Sequence, residues 1–250
     1  MKRGLDLLAS GVALVLLSPL LAVLAIAIYL QDYHSPFYVA PRVGKGERLF
    51  RMVKFRSMVV RADSTGVDST AGDDPRITRL GAFVRRFKLD EIPQLSNVLS
   101  GSMSFVGPRP NVERETRLYT TDEKRLLSIR PGITDLASIV FADESDILRG
   151  SEDPDLRYNQ IIRPWKSRLG LLYVDAPYSV SLDIKILWLT VVAAIDRQSA
   201  LAGVRQIANS LGADETLLKV ISRTAPLLSA APPGSNEIVV SRAIAVGESL

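Results

Sequence analysis

Apolar positions dominate residues 5–30, broken only by Asp6, Ser10 and Ser18. As one straight helix this stretch reaches about 39 Å, enough to cross a hydrocarbon core of about 30 Å. Pro19 sits near its middle, directly after Ser18. A mid-helix proline lacks a backbone donor and crowds the preceding turn, so it predicts a kink or break. The Ser18 hydroxyl is placed to satisfy a freed carbonyl such as that of Leu14. Each arm is then about 20 Å long, too short to cross alone. Cations flank both ends: Lys2 and Arg3 before, Arg42, Lys45 and Arg48 after. The positive-inside preference puts both flanks on the cytoplasmic side. Length and charge favour a re-entrant helix-break-helix over a kinked ordinary span with the bulk of the chain outside. A cleaved signal peptide is disfavoured, because the stretch exceeds an ordinary apolar region and no small-x-small pattern follows Leu30.

Beyond residue 36 the pattern shortens. Residues 37–60 read as a hairpin, with Phe37-Tyr38-Val39 and residues 49–53 as strands and Gly44-Lys45-Gly46 as the turn. Residues 61–76 are polar and predict an exposed loop. Residues 77–88 fit a helix with Ile77, Leu80, Phe83, Val84 and Phe87 on one face, with Arg76, just before it, and Arg79, Arg85, Arg86 and Lys88 interleaved. That pattern suits a helix on a membrane surface or a solvated face over a soluble core. Asp90-Glu91-Ile92-Pro93 opens a further helix running to Gly101. Met103 to Val106 is a short apolar run before the stiff turn Gly107-Pro108-Arg109-Pro110. Residues 111–128 predict one charged helix, broken by Pro131-Gly132. A loop-rich part to about Pro154 follows, then a helix over 155–170 interrupted near Pro164. Residues 181–195 are strongly apolar and too short to span, so they predict a buried or interfacial helix. Residues 199–225 read as one or two amphipathic helices punctuated by Gly212, before Pro232-Pro233-Gly234 and a small-residue tail.

Composition narrows the chemistry. The chain has 250 residues, 47% of them hydrophobic, enough for a core and one or two domains. A formal charge of +4 suits an anionic partner such as phospholipid headgroups or a nucleotide diphosphate. It is too small to argue for nucleic acid, and no aromatic-interleaved basic face is present. No cysteine is present, which excludes disulfides and thiolate metal sites, and a single histidine, His34, excludes histidine-cluster zinc sites.

Adjacent Asp90 and Glu91 are a common dipeptide, but here they sit at a helix start among many cations. A carboxylate can attack phosphorus covalently, and a neighbouring carboxylate can hold Mg²⁺ against phosphate oxygens. Arg and Lys can clamp a diphosphate. Lys54, at the end of the hairpin, is by pattern alone an outward charge on an edge strand. Arg109 is by pattern alone part of a stiff surface turn, its backbone held between two prolines. Gly44-x-Gly46 lacks the strand-to-helix context of a dinucleotide fingerprint.

These residues in this order carry a resemblance. They run from Lys2-Arg3, Asp6 and Ser18-Pro19 through Arg42-Val-Gly44, Lys54-Phe-Arg56-Ser-Met58 and Asp74-Pro-Arg76-Ile-Thr78. They continue through Leu89-Asp90-Glu91-Ile-Pro93-Gln94-Leu95, Asn97-Val98-Leu99, Gly101, Met103-Ser104 and Gly107-Pro108-Arg109-Pro110. Arg130-Pro131-Gly132-Ile133-Thr134, Tyr173 and Asp183-Ile-Lys185-Ile-Leu187 complete the set. The chain resembles the bacterial sugar transferases (monotopic phosphoglycosyl transferases, or polyprenyl-phosphate hexose-1-phosphate transferases) over roughly residues 1–195.

The resemblance implies transfer of a sugar 1-phosphate from a nucleotide diphosphate sugar, by family habit a UDP-sugar, to a membrane polyprenol (undecaprenyl) phosphate. Nucleotide monophosphate is released. This would be the first membrane step of exopolysaccharide, capsule, O-antigen or glycoprotein synthesis, at the cytoplasmic face of the bacterial inner membrane. It implies Asp90 as the nucleophile that carries a covalent phosphosugar and Glu91 as its partner carboxylate on Mg²⁺. Lys54, Arg85 and Arg109 are implied as cations around the phosphates and nucleotide, and Ser18-Pro19 as the helix-breaking pair. The expected fold is α+β and mostly helical: a re-entrant membrane helix over 1–36, a catalytic domain with a short β-hairpin and amphipathic interfacial helices over 37–198, and an extension over 199–250 whose role is open. Three stretches depart from the common pattern: Gly101-Ser102-Met103-Ser104, Asp135-Leu-Ala-Ser138 and Tyr173-Val-Asp175-Ala-Pro177. They bear on which sugar is used. Neither sugar nor oligomeric state is legible in the residues.

Overall fold

A computed structural model of the chain describes residues 2–62 and 69–241. The middle of the expected loop over 61–76 and the end of the small-residue tail lie outside these residues.

The apolar N-terminus is one helix, α1 (Lys2–Leu30), with Pro19 inside it. The expected break at Ser18-Pro19 does not interrupt the helix, and the two short arms are one element. The reason is local. Pro19 cannot donate to the carbonyl four residues back, that of Val15. The Ser18 hydroxyl donates to that carbonyl instead, at 2.8 Å. The freed acceptor is Val15 rather than Leu14.

Both ends of α1 are tied to the rest of the chain. At the start, Lys2 Nζ lies 2.5 Å from Asp183 Oδ2 and donates to the Tyr173 hydroxyl at 2.9 Å. Buried Asp6 accepts from Ser104 Oγ at 2.9 Å. At the far end, Leu24 and Ile28 pack against Phe55 and Val84. Between these anchors Leu8, Val12, Val15, Leu16 and Val23 are exposed.

The expected hairpin forms. Strand β1 (Phe37–Val43) pairs antiparallel with β2 (Leu49–Phe55), in a register from Phe37 opposite Phe55 to Val43 opposite Leu49. Helix α2 (Arg79–Arg86) follows, capped by Thr78, whose side chain accepts from Gly81 N. It buries Val84 against α1 and leaves Phe83 and Phe87 exposed. A 3₁₀ segment, Leu89–Gln94, leads into α3 (Leu95–Ser100). Strand β3 (Ser104–Val106) pairs in parallel with β4 (Gly132–Thr134).

The single charged helix expected over 111–128 is in fact α4 (Glu113–Thr116), α5 (Thr121–Lys124) and a 3₁₀ turn. Thr120 restarts the helix with a capping box to Glu123. Glu123 is fully buried and its carboxylate meets buried Arg163, whose Nε donates to it at 2.9 Å. The loop-rich part to Pro154 hides β4 and two helices, α6 (Leu136–Val140) and α7 (Glu144–Ile147). Helix α6 is too short and too uniformly apolar to show a period, yet it is central: Leu136, Ile139 and Val140 are buried.

The remaining helices follow the apolar pattern. They are α8 (Pro154–Ile161), α9 (Arg163–Asp175), α10 (Val180–Ile195), α11 (Arg197–Ser210) and α12 (Glu215–Ser222). Gly212, at φ 84, makes the turn between the last two. Helix α10 buries only Ile186, while Ile184, Trp188, Val191 and Ile195 are exposed. It is therefore not a core helix. Helices α11 and α12 pack Leu201, Val204, Leu217 and Ile221 into the same cluster as α6 and α9. The fold is α+β and mostly helical.

A cationic cleft around two unlike carboxylates

Strand β2 and helix α3 together place the first cation. Alternation along β2 puts Met52 and Lys54 on one face, and both line a cleft of about 690 Å³. The side chain of Asn97 on α3 docks on the edge of β2. Its Oδ1 accepts from Val53 N at 2.9 Å and its Nδ2 donates to Arg51 O at 2.8 Å. One amide thus supplies the donor and the acceptor that a further strand would have supplied. This joins the strand of Lys54 to the helix that directly follows the acid pair's 3₁₀ segment.

A sharp reversal presents that pair. Lys88 takes a left-handed backbone, φ 55, between α2 and the 3₁₀ segment. A side chain with a Cβ rarely adopts this conformation. The turn leaves Asp90 7% exposed, at the bottom of the cleft, with Glu91 beside it. Helix α2 is seated by a backbone approach that only glycine permits: a Cβ on Gly81 would lie 1.9 Å from Ser57 O. From this seat Arg85 faces Ser57, its Nη1 3.5 Å from Ser57 Oγ, and enters the cleft.

The second wall comes from the β3–β4 pair. Beyond Val106 the pairing continues, with Gly107 N donating to Thr134 O and Gly132 N to Pro108 O, both at 3.1 Å. The backbones are so close that a Cβ on Gly132 would lie 2.2 Å from Gly107 N. Held this way, the Pro-Arg-Pro turn aims Arg109 at Glu91. Its Nη1 lies 3.1 Å from Oε2, and its Nη2 contacts Oε1.

The two adjacent carboxylates therefore occupy different states. Burial works to raise Glu91, but the charge and hydrogen bonds of Arg109, with Lys88 and Lys54, outweigh it and hold Glu91 down at about 2. Asp90 is raised, first by burial and then by the charge of Glu91, against the pull of Lys54, Arg85 and Lys88. Its Oδ1 is buried without a hydrogen-bond partner. Lys54 is lowered to about 8 by burial, which outweighs the attraction of Asp90, and nearby Arg42, Arg85 and Arg109 add to the lowering. Arg109 itself is raised, first by the charge of Glu91.

All five candidate residues, Lys54, Arg85, Asp90, Glu91 and Arg109, line this one cleft. Ser18 and Pro19 stand apart in α1. Arg42, Arg86 and Lys88 also line it, and sequence reasoning gave none of them a role there. Nor did it give one to Asn97, whose signal was an amide inside a short helix that buries it. Ser138, in one of the stretches that depart from the common pattern, lines the cleft with its Oγ buried and unpartnered. Among the described residues no cluster of three or more His, Asp or Glu is arranged to hold a metal.

Chemically, the arrangement offers one poised carboxylate oxygen among cations, in a cleft open to solvent. It suits an anionic, phosphorus-centred electrophile. The profile of the bacterial sugar transferases matches residues 1–197. The chain is 38% identical over 207 residues to an undecaprenyl-phosphate glucose phosphotransferase of Komagataeibacter xylinus, covering 80% of this chain and 36% of that protein. It is 36% identical over 173 residues to a UDP-N-acetylgalactosamine-undecaprenyl-phosphate N-acetylgalactosaminephosphotransferase of Aeromonas hydrophila, covering 66% of this chain and 40% of that one. It is also 36% identical over 207 residues to the exopolysaccharide production protein PSS of Rhizobium leguminosarum bv. phaseoli, covering 79% and 96%. The match thus spans about two-fifths of the first two relatives and nearly all of the third.

Proposed function

Since the chain belongs to the bacterial sugar transferase family, we propose that it moves a sugar 1-phosphate from a nucleotide diphosphate sugar to polyprenol phosphate, through a phosphosugar carried on Asp90. The observation that carries this reading is the buried, unpartnered Oδ1 of Asp90 in a cleft lined by Lys54, Arg85 and Arg109.

In the first step Asp90 Oδ1 bonds to the sugar-bearing phosphorus. The bond from that phosphorus to the bridging oxygen breaks, and the electron pair leaves with the nucleotide monophosphate. In the second step an oxygen of the polyprenol phosphate attacks the same phosphorus. The acyl phosphate bond breaks, Asp90 is restored as a carboxylate, and the product is a polyprenyl-diphosphate sugar. Lys54 and Arg85 bind the diphosphate oxygens, where negative charge accumulates. Arg109 keeps Glu91 ionised and in place.

The donor set fits Mg²⁺ of the kind that keeps one or two protein carboxylates and takes its other ligands from phosphate and water. Glu91, beside the unpartnered oxygen of Asp90, would hold it, and it would supply neutralisation of the diphosphate charge. The names of the relatives support undecaprenyl phosphate as acceptor, and that of the Aeromonas hydrophila protein supports a UDP-sugar as donor, in exopolysaccharide synthesis.

The membrane arrangement belongs to the same proposal. Helix α1 is long and apolar enough to cross a membrane, with a mean hydropathy of 2.7 over its most apolar stretch. Its two ends nevertheless both dock on the domain that holds Asp90, through Lys2 and Asp6 at one end and Leu24 and Ile28 at the other. This supports a dip into one leaflet, with the cleft at the cytoplasmic face of the inner membrane, where a soluble nucleotide sugar and a lipid phosphate both arrive. Cysteines introduced at residue 2 and at residue 70 should be labelled from the same side, and labelling from opposite sides would refute the dip.

The chemical test is release of nucleotide monophosphate from a panel of nucleotide sugars with Mg²⁺ and undecaprenyl phosphate. Asp90→Asn should abolish release with the fold intact by circular dichroism. Labelled phosphosugar should remain bound to the wild-type protein when acceptor is withheld. Turnover retained by Asp90→Asn would sink the mechanism.

A further inference from the structure

One carboxylate, that of Asp143, is gripped by two arginines from the two ends of the C-terminal helix pair. Arg197 opens α11, and its Nη2 lies 2.7 Å from Asp143 Oδ1. Arg223 ends α12, and its Nη2 donates to Oδ2 at 2.8 Å. To do so Arg223 takes a left-handed backbone, φ 53, at the helix C-cap. That conformation carries a steric cost for any residue with a Cβ. The Arg223 guanidinium also lies 5.5 Å from the centre of the Phe141 ring, and Arg197 Nη2 reaches Val140 O at 3.4 Å.

What the arginines hold is the back of the cleft. Phe141, Ala142, Glu144, Ser145 and Asp146 all line it, facing the wall that carries the acid pair. Glu144 ion-pairs with Lys166, which lines the same cleft. Ser145 O accepts from Gly72 N at 2.8 Å, so this segment also sets the position of the lip at residues 69–72. The family profile stops at residue 197, so Arg223 and all but the first residue of the helix pair lie beyond it.

Stability alone explains this cluster poorly. Two guanidinium groups meet one carboxylate, and Asp143 and Arg223 are 21% and 14% exposed. Arg197 Nε, Arg223 Nη1 and Asp143 Oδ1 are buried without hydrogen-bond partners, so Arg197 meets the carboxylate as an ion pair and only Arg223 adds a hydrogen bond. A partly desolvated cluster with surplus charge and unmet donors is a weak stabiliser. It is well suited to fixing one geometry, because each arginine pulls the same carboxylate from a different direction.

We propose that α11 and α12 are a positioning brace: through Asp143, Arg197 and Arg223 set the cleft wall at residues 141–146, so that binding of the nucleotide diphosphate sugar depends on an arginine outside the family's own segment. The part concerning the donor rests on the transferase reading above; the brace itself does not. Arg223 is a positioning residue, since it touches the wall and not the donor.

The test uses the full chain in detergent or nanodiscs, with Arg223→Gln and Arg223→Lys. Amide hydrogen exchange over residues 141–146 should speed up in Arg223→Gln. Its KM for the donor should rise about three- to tenfold, with kcat and the KM for undecaprenyl phosphate within about twofold of wild type. Arg223→Lys, which keeps the charge, should recover most of the donor KM. Unchanged exchange over 141–146 would overturn the brace. A lower melting temperature with an unchanged donor KM, or equal losses in every kinetic constant, would reduce Arg223 to a structural role and overturn the proposal. Absence of turnover in the wild-type chain would count against the transferase reading instead, and the exchange measurement would still decide the brace.

Discussion

Arg109 holds Glu91 by both carboxylate oxygens. The next residue back, Asp90, keeps an oxygen with no partner at all. Two adjacent acids are thereby separated into a satisfied anion and a poised one: Arg109 lowers Glu91, while burial and the charge of Glu91 raise Asp90.

Removing that guanidinium should have two effects. Arg109→Gln should lower kcat/KM for the donor by about 10²-fold or more, because a charge-assisted bidentate pair is lost beside the reacting phosphorus. It should also change the acid limb of stability. Glu91 is held at about 2 against an unfolded value of 4.5, so its contribution is present above pH 4.5 and is lost as pH falls toward 2. Urea unfolding at pH 5 and pH 3 should show a smaller difference in Arg109→Gln than in wild type. Asp90, shifted upward, contributes in the opposite sense in both proteins and nearly cancels in the comparison.

Lys54 predicts activity and stability moving in opposite directions on the alkaline side. Its folded value of about 8 lies below the ordinary 10.5. Between these values the unfolded chain binds more protons than the folded one, so this residue makes stability rise with pH across the window. The cation proposed to bind phosphate is meanwhile being lost. Donor kcat/KM should fall above pH 8, approaching about tenfold per pH unit for loss of one proton. Lys54→Arg should remove that alkaline limb, because arginine stays charged. A limb unchanged in Lys54→Arg would assign the titration elsewhere.

Asn97 is the joint between the strand of Lys54 and the helix that follows Asp90's 3₁₀ segment. Asn97→Ala leaves Val53 N and Arg51 O without their partners, a loss of about 1–3 kcal/mol. The kinetic loss should exceed what that destabilisation explains, with kcat down about 10- to 100-fold at a temperature where the variant is fully folded. Thermal melts and monophosphate release on one preparation give both quantities.

Ser18 and Pro19 should behave as a coupled pair. Ser18→Ala leaves Val15 O unpaired and should cost about 1 kcal/mol in a membrane mimetic. Pro19→Ala restores the missing backbone donor, so Ser18→Ala in that background should cost almost nothing. A double-mutant cycle on melting in nanodiscs measures the difference. Equal costs in both backgrounds would mean that the serine does not serve the proline's carbonyl.

Much of this was legible in order along the chain. The hairpin, α2, the helix opening after Asp90, the break at Pro164 and the turn at Gly212 all follow from periodicity and punctuation. Each is specified by neighbours within a turn or two. The misreadings share one cause. The pattern over 111–128 predicts one charged helix although Thr120 and Glu123 carry a capping-box signature, and Glu123 is buried against Arg163, 40 residues on. Helix α6 shows no period because four of its five residues are apolar and buried, and one serine does not make a polar face.

Taken alone, the amino-acid sequence determined the apolar N-terminal helix and most of the local elements, because these depend on side-chain type and short spacing; the candidate site residues came from the family resemblance. It did not determine that Pro19 would stay inside a helix or that Arg109 would neutralise Glu91. It was equally silent on Asp90 being left with an unpartnered oxygen and on the C-terminal helices reaching back to Asp143. The first of these outcomes is settled locally, by the Ser18 hydroxyl on Val15 O; the others depend on which groups meet across 18 to 80 residues of chain, and on how much water is excluded where they meet. Only the folded arrangement sets either.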